Sequence, residues 1–295
     1  MRKNSLSRNL FLIVAAIILL LLVVVCVYPL LYVIFASLSD SGKLMAHEGL
    51  LIKPVGFNVE AYEAVLKNPN IINGYKNTIF ILVVGVCINL VMTSLAAYVL
   101  SRKNVMWKKL ILWIMLFTMY FSGGLIPSYL LIQNLGLYDS IWSLILPGAI
   151  STYNMIILRT AFTSIPESLE EAAVLDGANH LQILWHVLLP LTKATMAVMV
   201  LYYGVGHWNS WFSASIYLQD KSKYPLQLVL KEILISNDTA SMAGDMGVSG
   251  NMDSQSIAES IKYAVIMVAT VPILCIYPIL QKYFVKGVMI GAVKG

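Results

Sequence analysis

The residues best suited to binding chemistry lie in one apolar run, residues 194–218, where aromatic and amide side chains are interspersed with glycine. The candidates there are Tyr203, Trp208 and Asn209, and a neighbouring run adds Asn154. Aromatic rings pack against the CH faces of sugars and amides hydrogen-bond to their hydroxyls, so this mixture would suit the passage of a sugar. An aromatic belt at a membrane interface would explain Trp208 as well, and small polar residues such as Asn154 also hold helices together.

No motif in the sequence supports catalysis. The phosphate-binding pattern G-x-x-x-x-G-K-[ST], the zinc pattern H-E-x-x-H and the C-x-x-C pair are all absent, so neither a cofactor nor a metal is predicted. His207 is the only acidic or basic residue inside the long apolar runs, and without a charged partner it is more often a hydrogen-bonded or pathway-lining histidine than a proton relay. Ion-coupled carriers usually place acidic residues at the membrane midplane, so an ion-coupled secondary carrier is the disfavoured alternative.

The composition is that of an integral membrane protein. Of the 295 residues, 59% are hydrophobic and 12% are charged, and the mean hydropathy is +0.77. A soluble domain carries about twice that charged fraction, roughly a quarter. The three cysteines, Cys26, Cys87 and Cys275, all lie within apolar runs. They are expected to be free thiols that pack as small hydrophobic residues.

Six apolar runs approach the roughly 20 residues that a helix needs to cross a bilayer. They are Leu10–Leu38, Thr78–Leu100, Leu110–Ile132, Ile141–Leu158, Ala194–Leu218 and Tyr263–Leu280. The first run follows a basic start at residues 1–9 but is far longer than the core of a signal peptide, so it is predicted to remain as a span. The expected fold is all-α, with six transmembrane helices and both termini on the same side.

The distribution of charge predicts the orientation. Most lysines and arginines fall in the termini and in the segments that share their side, while most acidic residues fall in the two long loops on the other side. The positive-inside rule therefore places residues 1–9 and 281–295 in the cytoplasm. The outer loops are residues 39–77, with a short helix expected at Val59–Leu66, and residues 219–262, and the core of five spans covers residues 78–280.

Residues 164–190 are polar and charged and lie between two apolar runs, so they are predicted to lie in water on the cytoplasmic side. Ser164 is expected to cap a first helix, with Pro166 in its first turn and Glu167 at the spacing of a capping box. Gly177 would adopt the left-handed conformation that ends this helix.

A second short helix is predicted to follow that glycine. Asn179 would cap it and Pro190 would end it or open the next span, and one face would carry an apolar stripe of Leu181, Leu184 and Leu188. Two short amphipathic helices joined at a glycine make a compact knob, which is a suitable shape for docking into a groove on another protein.

The same segment carries a spaced pattern: Glu171-Ala172-Ala173, then Gly177, then Val187-x-Leu189-Pro190. This pattern resembles the EAA loop, EAA-x3-G-x9-I-x-L-P, of permease subunits of bacterial ATP-binding-cassette (ABC) importers, with Val187 in place of the usual isoleucine. Further stretches are similar to oligosaccharide permeases of the carbohydrate-uptake, maltose-type branch in Gram-positive bacteria: Phe121–Pro127, Asn134–Leu137, His207–Trp211 and Lys286–Gly291. We call residues 164–190 the EAA loop from here on.

The resemblance implies a type I ABC importer permease fold in the bacterial cell membrane, surrounded by lipid. It implies as partners a homologous second permease, two separate ATPase subunits, an extracellular solute-binding lipoprotein and a sugar substrate, with no nucleic acid. The residues expected to couple to the ATPase are Glu171, Ala172, Ala173, Gly177, Val187 and Pro190. The glycine-rich part of residues 219–262 is either a solvated linker or a probe that enters the binding protein. Residues 281–295 are either a solvated terminus or a segment that reaches the ATPases.

Overall fold

The computed structural model describes residues 6–235 and 260–276 together with residue 278, and within them the protein is helical. The one β feature there is an isolated bridge between Ser39 and Phe57. The chain divides into two compact units, residues 1–69 with 232–271 and residues 70–231 with 272–295. We call the second the core unit. It contains the EAA loop and all four candidate sugar-binding residues.

The N-terminal unit is built around helix α1, Leu6–Ser37. The segment Arg8–Ser37 contains an 18-residue stretch with a mean hydropathy of 3.7 and is long enough to cross a membrane, in agreement with the first predicted span. Two short helices follow, α2 (Ser41–Met45) and α3 (Glu60–Lys67). Helix α3 lies one residue from its predicted position at Val59–Leu66. Ala36, Leu44 and Leu51 form the small buried cluster of this unit.

The second predicted span is one continuous helix, α4, which runs over Pro69–Ser101. It begins nine residues before the apolar run because Pro69 suits the first turn of a helix and the polar residues after it continue the same backbone conformation. Its buried face carries several polar side chains, among them Thr78, Asn89 and Thr93. Helix α4 is therefore both long enough to cross a membrane and polar along one side.

Three of the other predicted spans are interrupted. Helices α5 (Lys108–Tyr120) and α6 (Leu125–Asn134) bend by 115° at a break that contains Gly124, whose φ is +93°. The run 141–158 divides into a 3-10 turn, Ile141–Leu144, and helix α7, Thr152–Thr163. In the described residues two helices are long and apolar enough to cross a membrane, or up to four if each bent pair is one span. The count of six spans stays a prediction.

The rest of the core unit contains the EAA loop and the helices after it. The loop comprises α8 (Glu167–Leu175), α9 (His180–Gln182), a π-helical turn (Ile183–Leu188) and α10 (Leu189–Leu191). The fifth predicted span is broken after α11 (Lys193–Trp208), and α12 (Trp211–Tyr217) and α13 (Leu226–Ile235) follow. Helix α14, Ser260–Ile276, belongs mostly to the N-terminal unit and covers the beginning of the sixth run.

The prediction for the cysteines is confirmed for their free state but not for their burial. Cys26, Cys87 and Cys275 are free, as expected, but all three are exposed on the surface of this chain. They therefore do not pack in its interior as small hydrophobic residues. The reason is that a helix surrounded by lipid can turn apolar residues outward without contact with water.

Candidate functional site

The start of the EAA loop differs from the prediction. Ser164 is the C-cap of α7, where its hydroxyl donates to the carbonyl of Ala161 at 2.7 Å. Helix α8 instead begins at Glu167 with Pro166 at its N-cap, so the expected capping box does not form. The hydroxyl of Ser164 is used because the last carbonyls of α7 lack partners within their own helix. The side chain of Glu167 is free to pair with Lys103, 2.6 Å away, and this hydrogen bond raises the pKa of Lys103.

The turn in the middle of the loop is as predicted. Gly177 has a φ of +83°, and it ends α8 in a Schellman motif in which Ala178 N–H donates to Ala173 C=O and Gly177 N–H to Val174 C=O. Asn179 caps α9, and Gln182 completes a capping box: each side chain accepts from the backbone N–H of the other, at 2.9 and 2.8 Å. The turn is thus fixed by local hydrogen bonds at both helix ends.

The second half of the loop is wider than a regular helix. Its π turn, Ile183–Leu188, precedes Pro190, which has no N–H to donate. Leu184 and Leu188 are buried as predicted, but Leu181 is exposed, so the expected stripe of three is wrong at its first member. The reason is that five-residue hydrogen-bonded spacing rotates successive turns differently from an α-helix. Pro190 lies inside α10, and the chain then bends by 89° into α11.

The loop has an inner and an outer face. On the inner face, Ala173, Ala178 and Val187 pack against a buried cluster that includes Met155, Leu158, Phe162, Ile183, Leu184 and Leu188. The outer face carries large exposed apolar side chains: Leu175, at 87% exposure, and Leu169, Val174, Leu181 and Trp185. Glu171, Ala172, Gly177 and Pro190 are also exposed. Several large exposed apolar side chains on a polar loop are typical of a protein interaction site.

The loop is also tied to the C-terminal end of α4. Arg102 forms an ion pair with Glu170 of α8 and lies over the ring of Tyr98, 4.8 Å from its centroid. The hydroxyl of Tyr98 in turn lies 2.8 Å from Nδ1 of His180 in α9. A cleft of about 840 Å³ lies between these groups. These ties could not be predicted from the sequence because their partners are more than 60 residues apart.

Tyr203 and His207 occupy a buried polar layer. The hydroxyl of Tyr203 lies 2.6 Å from Thr93 Oγ1 and accepts from the N–H of Ser151 at 3.1 Å. One turn further on, Nε2 of His207 lies 2.7 Å from Oδ1 of Asn89. Nδ2 of Asn89 donates to the carbonyl of Gly148 at 2.6 Å. Because that bond orients the amide, the oxygen of Asn89 faces the histidine and Nε2 carries the hydrogen. His207 is thus a hydrogen-bonded histidine, as predicted.

The other predicted sugar-binding residues are only partly accessible. Trp208 and Asn154 are buried, while Asn209 is exposed but donates its side-chain amide to the carbonyl of Val205 at 3.0 Å, at the end of α11. The structure does bring together a pair of exposed tyrosines, Tyr153 and Tyr202. Their ring centroids are 6.3 Å apart, and the residues are 52% and 37% exposed. Tyr153 was missed even though it lies within the apolar run 141–158 directly before Asn154, and a tyrosine beside an amide in such a run was the available signal.

A second polar cluster ties the loop after α6 to the segment before α13. Asp139, in the left-handed region with a φ of +52°, accepts from the N–H groups of Gln219 and Asp220 and from Nζ of Lys223, at 2.8 to 3.0 Å. The hydrogen bond from Lys223, with those from the two backbone groups, lowers the pKa of Asp139 to about 2. No group of three or more His, Cys, Asp or Glu residues that could hold a metal is found within residues 6–235 and 260–276.

Known proteins resemble the chain over nearly its whole length. It is 40% identical to the polygalacturonan/rhamnogalacturonan transport system permease protein YtcP of Bacillus subtilis, over 92% of this chain and 93% of that protein. It is 41% identical to protein LplC of the same organism, over 92% and 90%.

A solved structure also matches, that of a bacterial ABC transporter involved in the import of the acidic polysaccharide alginate. The TM-score is 0.86 at 32% identity, and the match covers 96% of this chain and 100% of that one. Residues 89–290 match the family of binding-protein-dependent transport system inner membrane components. The chain belongs to this family and is a permease subunit of an ABC importer with the type I permease fold.

Proposed function

We propose that this chain forms half of the transmembrane pathway of an oligosaccharide importer and that its EAA loop is the docking site for one ATPase subunit. Permeases of this family are not enzymes themselves and work with separate ATPases, a second permease and a solute-binding protein. The observation that carries the proposal is the outer face of the loop, where Leu175 and other large apolar side chains are exposed along with Glu171. A partner that covered this face would bury apolar surface and gain a charged contact at the same place.

Each residue of the motif has a distinct part in this docking. Glu171 is exposed on α8 and supplies a carboxylate to the ATPase, while Ala172 beside it lets a partner approach closely. Ala173 and Val187 face inward and fasten the loop to the core cluster. Gly177 and Pro190 set the two bends between the loop segments.

Loop movement would then switch the pathway between outward and inward openings. ATP-driven closure of the ATPase pair would draw the two permeases' loops together, and packed helices would carry the displacement into the membrane. The sugar is moved without any change to its bonds. The partners of this chain in that assembly are a homologous second permease, two ATPases and an extracellular solute-binding lipoprotein.

The orientation of the chain in the membrane follows from the same proposed assembly. The EAA loop and both termini lie in the cytoplasm, where ATP is available. Several cations lie near the loop at the ends of α4, α5 and α7, as the positive-inside rule requires of cytoplasmic segments: Arg102, Lys103, Lys108 and Arg159. The six predicted spans and the loop boundaries belong to this proposal as well.

The exposed tyrosines are the best-placed groups for substrate. Tyr153 lies ten residues from the end of α7 and Tyr202 nine residues from the start of α11, which is roughly 15 Å along each helix at about 1.5 Å per residue. The hydrocarbon core is about 30 Å thick, so both rings would lie near its middle. An aromatic surface with two hydroxyls suits a sugar ring. Tyr203, Trp208, Asn209 and Asn154 stay predictions as pathway residues.

The relatives narrow the substrate class. YtcP is named for polygalacturonan and rhamnogalacturonan, and the matching structure for alginate, so the similar proteins handle chains that contain uronic acids. We therefore propose acidic oligosaccharides as the substrate. Uptake of trigalacturonate and an alginate trisaccharide should exceed that of maltotriose and arabinotriose in vesicles that contain the complete importer. Faster uptake of the neutral sugars would contradict the acidic assignment without affecting the importer assignment.

The docking site is tested with Glu171→Arg and Gly177→Pro in the assembled importer. Both variants should insert in the membrane, and both should lower sugar uptake at least tenfold because the ATPase no longer moves the loop. Glu63→Arg, at another exposed glutamate outside the EAA loop, is the matched control and should transport normally. Normal uptake by Glu171→Arg would refute the docking assignment. Abolition of uptake by an ionophore while ATP persists would instead favour an ion-coupled carrier.

A further inference from the structure

Helix α4 is bonded to the EAA loop, to the interrupted run at residues 145–151 and to the segment before α13. We infer that α4 carries movement of the EAA loop across the membrane, and that Tyr98 and Arg102 are the positioning residues that fasten the loop to it. This inference rests on the proposed function, because it assumes that the ATPase moves the loop.

At the loop, both short helices are attached to the last turn of α4. Arg102 and Glu170 pair with only 23% and 15% of their side-chain surface exposed, so their attraction is less screened than that of a surface pair. His180 is held by Tyr98, whose own surface is buried beneath the guanidinium of Arg102. Since α8 and α9 meet at Gly177, a displacement of either one must pull on the same turn of α4.

The end of α4 is also locked to its neighbours. Nε of Arg159 in α7 donates to the carbonyl of Leu100 at 2.8 Å, and Nζ of Lys108 donates to the carbonyl of Arg102 at 2.6 Å. These carbonyls lie at the C-terminus of α4, where backbone groups lack partners within the helix and where cations are favoured. The end of α4 is therefore held by cations of α5 and α7 in addition to its ties to the loop.

The middle of α4 is bonded to the interrupted run. Asn89 and Thr93 lie one turn apart on α4 and face His207 and Tyr203, which lie one turn apart on α11. From the first pair a hydrogen bond continues to the carbonyl of Gly148, and from the second the hydroxyl of Tyr203 accepts from the N–H of Ser151. Two parallel polar layers thus fix α4, α11 and the non-helical residues 145–151 to one another.

The N-terminal part of α4 is bonded to the segment before α13. Thr78 accepts the N–H of Leu226 at 2.8 Å, and Nδ2 of Asn77 donates to the carbonyls of Ser222 and Tyr224 at 2.7 and 3.1 Å. Gly74 permits this closeness, because an added Cβ would lie 3.1 Å from the backbone of Leu226. The segment is the one that Asp139 also holds, so the outer end of α4 is built into an ordered polar cluster.

Geometry favours α4 as the element that connects these levels. The 25 residues from Asn77 to Arg102 span roughly 37 Å at about 1.5 Å per residue, more than the hydrocarbon thickness of about 30 Å. The helix has no proline after Pro69. The neighbouring runs of the core unit are bent or interrupted in the described residues, so they cannot act as rigid rods over that distance. A push at Arg102 therefore reaches residues 145–151 and the segment before α13 through one stiff helix.

The test compares the buried ion pair with the exposed one beside it. The complete importer is reconstituted with Arg102→Gln, with Glu170→Gln and with both changes. The quantity measured is the amount of sugar imported per ATP hydrolysed, and the sugar is whichever of the four trisaccharides named above the wild-type importer takes up. Each single variant should lower that ratio about tenfold while the ATPase subunits still copurify, and the double variant should be no worse than the worse single one. The controls are Lys103→Gln and Glu167→Gln, whose side chains are 78% and 59% exposed, and these should leave the ratio unchanged.

Tyr98→Phe provides a second test that does not depend on the ion pair. It removes the hydroxyl that holds His180 and keeps the ring beneath Arg102, so it should fold even if Arg102→Gln does not, and it should lower the ratio several-fold. The role of α4 would be overturned if the single variants or Tyr98→Phe kept the wild-type ratio of sugar imported per ATP. It would also be overturned if the fold-loss in the double variant equalled the product of the losses in Arg102→Gln and Glu170→Gln. If Glu171→Arg also transports normally, the docking assignment itself is wrong. If Glu171→Arg is inactive and the α4 variants are normal, only the present inference is wrong.

Discussion

The strongest structural prediction concerns Gly85, which lies on α4 against the ring of His207. A Cβ built at residue 85 would lie 2.5 Å from Nε2 and 2.7 Å from Cε1 of that ring, distances that real Cβ atoms do not show. Gly85→Ala must therefore displace His207, which is buried and cannot turn toward solvent. The displacement breaks the 2.7 Å contact with Asn89. We expect the variant to destabilise the core unit.

The size of the effect follows from three contributions. Forcing a methyl group into a packed interior costs about 1–3 kcal/mol. Loss of a buried hydrogen bond between membrane helices costs about 0.6–1 kcal/mol more. Alanine is favoured over glycine in a helix by about 1 kcal/mol, which acts in the opposite direction. The net expectation is a loss of about 1–3 kcal/mol, so the steric cost outweighs the gain in helix propensity.

The assay is the thermal unfolding midpoint of the purified chain within its complex in detergent. Gly204→Ala is the matched control, because a Cβ at that helical position meets no atom within 4 Å and should raise the midpoint. In a His207→Ala background the clash is gone, and Gly85→Ala should then be neutral or stabilising. A midpoint for Gly85→Ala as high as that of Gly204→Ala would refute this account of the His207 layer.

The remaining predictions concern single positions. The carboxylate of Asp139, with its pKa lowered to about 2, stabilises its cluster above about pH 4, and this contribution is lost as the pH falls toward 2. Asp139→Asn should abolish this acid-dependent change in the thermal midpoint, and Asn tolerates the left-handed backbone there. Asn179→Ala should destabilise α9 by about 1 kcal/mol, measured as faster amide exchange at residues 180–182. Gly177→Ala should lower the free energy of unfolding by about 1 kcal/mol, because the φ of residue 177 is positive, and Gly177→Asn should lower it less. Both losses would be measured from the thermal unfolding of the complex. The purified chain alone should hydrolyse no ATP.

Local features of the site could be predicted from the sequence. Gly177 and Asn179 have the expected roles because helix ends are decided by hydrogen bonds among residues a few positions apart. Helix α1 is continuous because its apolar residues are uninterrupted. The family followed from the spacing of Glu171, Gly177 and Pro190, since a docking loop needs its bends and its contact residues at fixed separations.

Two kinds of feature could not be predicted: those for which two helix ends compete for one capping residue, and those that depend on residues far apart in the sequence. Ser164 could cap either the end of α7 or the start of α8, and nothing in the local sequence indicates that it caps the end of α7. The breaks near residues 121–124 and 145–151 were hidden by the apolar runs around them, although Gly123-Gly124 and Pro147-Gly148 were local signals for a break. Tyr202 and Tyr203 are adjacent, yet one is exposed and the other buried, because neighbouring residues on a helix point about 100° apart. Composition could identify the tyrosines but not the direction of either ring.

The π turn at Ile183–Leu188 has a consequence for how such loops diverge. A π turn holds one more residue than the α turn it replaces, so it behaves as a single-residue insertion within a helix. Removal of one codon there would restore the α spacing and turn everything before it by about 100° relative to α11. The direction in which Glu171 faces the proposed ATPase partner could thus be reset by a one-residue deletion, with no change to the residues of the proposed contact.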